Sequence, residues 1–93
     1  MAKLIKQLQT PDLNQKLTPA FLGQVIKARR TQSGLRQEDA AALCGVAKQT
    51  YMQVEHGHPN AQLETVLKIC SALGIELMVK PWQESGELDN EWQ

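Results

Sequence analysis

LRQEDAAALCGVAKQTYMQVE, residues 35–55, holds two short apolar clusters at helical spacing. Ala40, Ala41, Leu43 and Cys44 form the first, Val46, Tyr51 and Val54 the second, and Gly45 alone separates them. The pattern predicts a helix, a tight turn and a second helix. Gly45 falls where the first helix must end, and glycine takes the positive φ needed there without a Cβ penalty. Ala40 and Ala41 are small, as expected where two helices cross closely.

The second of these helices has an outward face of Lys48, Gln49, Thr50, Met52 and Gln53, with one cation, two amides and no acid. Such a face suits base edges. Lysine donates to guanine O6 and N7, glutamine bonds adenine N6 and N7 in bidentate fashion, and the Thr50 hydroxyl can bond a base or a phosphate. Double-stranded DNA is the expected partner. The plainer reading of the same residues is a solvated helix face.

Ninety-three residues suffice for one small domain. Hydrophobic residues make up 42% but only four are aromatic, so the core must come from Leu, Ile, Val and Ala, which favours a helical bundle. The chain shows no apolar run of membrane-spanning length and no signal-peptide pattern at MAKLIKQLQ, so a cytoplasmic protein is expected. Cys44 and Cys70 fit that compartment as buried free thiols on apolar helix faces. With His56 and His58 they lack the spacing of a metal site, and neither metal nor cofactor is expected. The formal charge of zero is unevenly spread. Residues 1–80 carry ten Lys and Arg against six acids, a balance of +4, and residues 81–93 carry four acids and no base. A modestly basic body suits phosphates, and a dimer doubles the charge it presents.

Along the chain, residues 1–17 read as a flexible or partner-docked extension. Leu4, Ile5 and Leu8 offer at most one amphipathic turn before Pro11, and a basic arm near DNA is the sharper reading. Thr18-Pro19 is a helix start, an acceptor side chain followed by proline at the first helical position. Phe21, Leu22, Val25 and Ile26 give that helix its core stripe, with Lys27, Arg29 and Arg30 mostly outside it and an end near Gln32, before Gly34. HGHPN, residues 56–60, is a loop. A further helix puts Leu63, Val66, Leu67, Ile69, Cys70 and Leu73 inward and ends at Gly74.

The period then changes. Residues 75–80, IELMVK, stopped by Pro81, read as a short strand. A lone strand needs a partner edge, and nothing else in the chain looks like one. The economical partner is the same strand of a second copy, with Ile75, Leu77 and Val79 as dimerisation residues. The alternative is a packed tail. The acidic segment 81–93 holds both tryptophans, and Trp is a frequent interface anchor. Trp92 reads as a motif for a protein partner, whereas Trp82, beside the strand, is expected to fold back on the bundle.

Residues 35–55 resemble the helix-turn-helix of the phage-repressor-like (Xre/Cro) family, in which a Gln opens the first helix and a Gly follows eight positions later, here Gln37 and Gly45. The resemblance implies that Gln37 bonds a DNA phosphate and that Lys48 and Gln49, in the first turn of the second helix, read bases. It also makes His56, His58 and Asn60 backbone contacts, with a plain connector as the alternative. Two positions depart from the pattern. Arg36 and Ala47 stand where capping Ser or Thr residues are usual, and the absence of a cap costs about 1 kcal/mol. Arg36 becomes a further phosphate contact in this reading.

With the strand and the LDNEW ending at residues 88–92, the sequence is similar to HipB-type antitoxins, which pair with HipA-type serine/threonine kinase toxins. That resemblance covers Thr18 to Lys80. It implies a strand that forms a dimer lid, recognition helices on palindromic operators, and a C-terminal Trp, here Trp92, that docks on the kinase. The expected fold is thus all-α, a four- to five-helix bundle with one short strand paired across a homodimer. Its parts are an extension (1–17), a DNA-binding domain (18–74), a dimerisation strand (75–80) and a partner-binding tail (81–93). The expected DNA-binding residues are Arg36, Gln37, Ala47, Lys48, Gln49, Thr50 and Gln53. The expected function is that of an autorepressor and antitoxin, with a solitary repressor as the alternative. No catalytic constellation is apparent, so an enzyme is not expected.

Overall fold

Four helices follow one another in the computed structural model, which describes residues 5–82. They are α1 (Pro19–Gln32), α2 (Gln37–Cys44), α3 (Lys48–Glu55) and α4 (Leu63–Leu73). The start of α1 is set by Thr18, whose hydroxyl accepts from the Phe21 N–H at 3.0 Å, and by Pro19, whose missing N–H costs nothing in the first turn. Its end, and those of α2 and α4, share one form. The N–H groups of Leu35, Val46 and Ile75 reach back to the carbonyls of Arg30, Ala41 and Cys70 at 3.1, 3.0 and 2.8 Å. Two of these ends also receive a cation from another helix. Lys68 Nζ donates to the Gly45 carbonyl at 3.2 Å and Arg29 Nε to that of Leu73 at 2.8 Å, which favours the negative pole of each helix and ties the helices together.

The core gathers between the four helices. Ile26, Ala40, Tyr51 and Ile69, one from each helix, are fully buried, with Leu22, Ala41, Cys44, Val54, Cys70 and Leu73 around them. Three leucines expected on the apolar stripes do not join them, since Leu43, Leu63 and Leu67 are 58%, 68% and 46% exposed. In α4 the core stripe is Val66, Ile69, Cys70 and Leu73, and Leu63 and Leu67 lie on its flank. Trp82 is also exposed, at 78%, rather than folded back, because the chain after Leu77 leaves the bundle.

Charge completes the interior. Leu22, Ile26 and Arg30 stand one turn apart on α1, so Arg30 lies on the core stripe and not outside it, only 7% exposed. Its guanidinium grips Glu55, the last residue of α3, through Nε at 2.8 Å and a second nitrogen at 2.9 Å. It also donates to the Leu35 carbonyl at 2.8 Å, and Gln37 Nε2 donates to the same carboxylate at 3.2 Å. Burial pushes the Glu55 pKa up, but the hydrogen bonds and charge of Arg30, with the Gln37 amide, outweigh it and hold the carboxyl below its ordinary range. The Tyr51 hydroxyl is buried near this pair without a hydrogen-bond partner, and burial, then the Glu55 carboxylate, raise its pKa.

Both ends of the described chain differ from expectation. Residues 5–17 form no helical turn but are pinned to the end of α1. The Leu8 N–H donates to the buried Thr31 hydroxyl at 3.0 Å, and Gln32 Nε2 donates to the Leu8 carbonyl at 2.9 Å. Residues 75–80, expected as a strand, have no regular secondary structure, and no strand occurs among the described residues. Ile75 and Leu77 nonetheless pack against the core while Glu76 and Met78 face outward, the alternation of a strand with no second edge among the described residues to ladder with.

Removing the charge of Glu55 strands a buried guanidinium. Glu55→Gln is expected to lower the unfolding free energy by about 3 kcal/mol in denaturant titration. The pH profile carries the second expectation. Because the folded pKa of Glu55 is depressed, the unfolded chain takes up a proton first, near the ordinary value of about 4.3. The stability Glu55 provides is therefore complete above that pH and drains away as pH falls through the folded pKa. The variant's acid limb is expected to be shallower than the wild type's.

Candidate nucleic-acid interface

Between α2 and α3 the chain turns on three residues, Gly45, Val46 and Ala47. Gly45 takes φ 72° and ψ 33°, the left-handed conformation that a side chain would strain. The turn sets α3 across α2 with Tyr51, Val54 and Glu55 inward. Position along α3 is fixed by backbone contact with α1. A Cβ at Gly23 would collide with the Glu55 carbonyl, and one at Gly57 would sit 2.8 Å from Ala20 Cα. With Arg30 holding the Glu55 side chain as well, α3 is clamped at its C-terminal end from two sides.

That inner clamp leaves the outer face free. Lys48, Gln49 and Gln53 are exposed, Thr50 and Met52 half-buried. Ala47, exposed at the head of α3, provides no side-chain cap, and Arg36 provides none to α2. The first-turn amides of both helices thus lack the usual side-chain acceptor. Instead of reaching outward, Arg36 folds onto its own helix, with Nε 3.3 Å from Asp39 Oδ2 and a terminal nitrogen 3.9 Å from Glu38 Oε1. Gln37 is half-buried and held by Glu55, which fixes its amide at the opening of α2. His56, His58 and Asn60 are all exposed in the loop after α3.

The sequence reading misses three contributors to this arrangement. Arg30 and Glu55 were both readable as charges on apolar stripes, at i+4 from Ile26 and from Tyr51, and a charge on such a stripe demands a buried partner. Lys68, from α4, reaches the turn itself through the Gly45 carbonyl, and no local pattern announces that contact. Among the described residues no three His, Cys, Asp or Glu side chains are grouped to hold a metal, and no helix is long and apolar enough to cross a membrane.

Comparison with known proteins agrees with this geometry. A family model described as helix-turn-helix matches residues 26–79, from the middle of α1 to just beyond α4. An uncharacterized HTH-type transcriptional regulator of Sinorhizobium fredii, y4mF, is 33% identical over 60 residues, 64% of this chain and 79% of the relative. A second HTH-type transcriptional regulator, from Haemophilus influenzae, is 35% identical over 65 residues, 70% of this chain and 65% of the relative. Among solved structures, a HipB chain from a complex with an O2 20mer superposes with a TM-score of 0.67 at 24% identity, over 77% of this chain and all of that one. The chain therefore belongs to the phage-repressor-like helix-turn-helix family, and its fold is that of HipB.

Proposed function

We propose that this chain is a DNA-binding transcriptional autorepressor and the antitoxin of a HipA-type serine/threonine kinase toxin, working in the cytoplasm as a homodimer by binding rather than by catalysis. The observation that carries the DNA-binding part is the outer face of α3, where Lys48, Gln49 and Gln53 stand exposed on a helix clamped from behind by Arg30. Rigid support and a free amide-rich face are what direct base readout in the major groove requires. In this reading Lys48 and Gln49 read bases, and Thr50 and Gln53 flank them. Gln37, Ala47 and Arg36 face the phosphates, Arg36 after releasing Asp39.

The dimer rests on residues 75–80. Ile75 and Leu77 lie on the bundle, Val79 continues the same face, and the edge is unpaired among the described residues, so a second copy completes the ladder. A twofold dimer of this kind sets two recognition helices about 34 Å apart on a palindromic operator. In this division residues 1–17 are an extension, 18–74 the DNA-binding domain and 81–93 the toxin-binding tail. Trp92, assigned to the kinase, lies outside the described residues, and its role rests on the likeness of the chain ending to that of HipB-type antitoxins. A second reading, a regulator without a toxin, draws on the two curated relatives, both named simply as HTH-type transcriptional regulators.

Lys48→Ala and Gln49→Ala are each expected to relax operator preference by about 1 to 3 kcal/mol where a bidentate pair of hydrogen bonds to a base is removed, measured as specific against nonspecific DNA affinity. Unchanged preference would place the reading face elsewhere. Affinity capture with the full chain and with a chain ending at residue 80, followed by mass spectrometry, separates the two functional readings. A HipA-type kinase held by the full chain alone supports the antitoxin. Operator binding with no kinase on either chain supports the solitary regulator.

A further inference from the structure

The proposed dimer leaves open how the two copies of residues 75–80 are aligned, and the surface of the single chain contains enough to decide it. The inference rests on that dimer and goes on to fix its register.

In this segment Ile75 and Leu77 lie on the bundle while Glu76 and Met78 are turned outward. By strand alternation Val79 belongs to the inner face and Lys80 to the outer one. Val79 is nevertheless 84% exposed, as is Met78. An inner-face valine with nothing beneath it among the described residues marks the point where this chain's own bundle stops short and a surface from elsewhere is needed.

Symmetry restricts the choices. If both copies lay Ile75 and Leu77 on their own bundles, the twofold axis is normal to the ribbon, and residues directly opposite share a face. The ribbon must then be centred on a residue facing its own twin. Centring on Glu76 opposes two carboxylates, and centring on Lys80 opposes two ammonium groups, both unfavourable. Centring on Leu77 sets Glu76 against Met78, and centring on Val79 sets Lys80 against Met78, so neither pairs the charges. Centring on Met78 places Glu76 opposite Lys80 twice, once on each side of the axis. It also sets each Val79 opposite the partner's Leu77, above the partner's bundle, which supplies the missing floor.

We infer that this chain dimerises through an antiparallel ribbon of residues 75–80 centred on Met78, held by reciprocal Glu76–Lys80 pairs and by Val79 packed on Leu77 at both ends. Facing Cα atoms in such a ribbon are about 4.5 to 5.5 Å apart, within disulfide reach. The twin Leu77 residues stand in a diagonal relation at about 7 to 8 Å, beyond it.

The test is a scan of the full chain with single cysteines at positions 76 to 80 under mild oxidation. The native thiols, Cys44 and Cys70, are buried and serve as the uncrosslinked background. Met78→Cys is expected to give the highest yield of covalent dimer. Charge reversal provides an independent reading by sedimentation at low salt. Glu76→Lys and Lys80→Glu are each expected to weaken the dimer on the order of tenfold, and the doubly reversed chain to return to about wild-type affinity. A wild-type chain that sediments as a monomer would overturn the dimer and the register with it. A wild-type dimer whose yield peaks at Leu77→Cys or Val79→Cys, with no rescue by the double reversal, would overturn the register and leave the dimer standing.

Discussion

A guanidinium and a carboxylate, both shut away from water, hold the architecture together. Arg30 comes from the body of α1 and Glu55 from the last turn of α3. Between them they also engage the Leu35 carbonyl before α2 and the Gln37 amide at its start. Buried ion pairs are a poor source of net stability, because desolvation consumes most of the attraction. What this one provides is specificity of arrangement. Three helices and one connecting turn converge on this single pair: separating α1 from α3 leaves a charge unpaired in the interior, and moving the turn or α2 takes a hydrogen bond from it. The face that α3 turns outward is therefore oriented by chemistry on its opposite side.

The remaining ties follow the same economy. In a bundle this small, long side chains take over part of what a larger core would achieve by packing. Lys68 and Arg29 each lay a cation on the carbonyl end of a neighbouring helix, closing α2 from α4 and α4 from α1. The backbone of α1 meets that of α3 at Gly23 without an intervening side chain. The result is a brace at the turn between α2 and α3 from Lys68, at the end of α3 from α1 and at the end of α4 from Arg29, and every component of it lies outside the exposed face.

Much of this was legible in the sequence, and the limits of legibility are physical. Thr18-Pro19, Gly34, Gly45 and Gly74 mark helix boundaries because their chemistry is local: α1 begins at Pro19, and α1, α2 and α4 end just before the three glycines. The exposure of Lys48, Gln49 and Gln53 follows from helical spacing alone. Arg30 was obscured because a charge is read outward by habit, although its spacing from Ile26 placed it inward. The docking of Leu8 on Thr31 and Gln32 left no side-chain pattern, since the Leu8 groups involved are its amide and carbonyl. Leu63 and Leu67 showed that an apolar stripe on α4 can be wider than the core available to one chain. As for residues 75–80, a strand exists only by virtue of a neighbouring edge, and the described residues of a single chain offer none.

The two helices of the motif begin without a capping side chain, at Arg36 and at Ala47. A cap is worth about 1 kcal/mol, so the free chain forgoes stability that a Ser at either position would supply. Under the proposed function Arg36, Gln37 and Ala47 face phosphates, and a phosphate oxygen at a helix start can supply the acceptor that the side chains do not. Stability of the free chain and discrimination in favour of the bound one are thus set against each other at residue 47. A chain perfected for solitude would have less to gain from its operator.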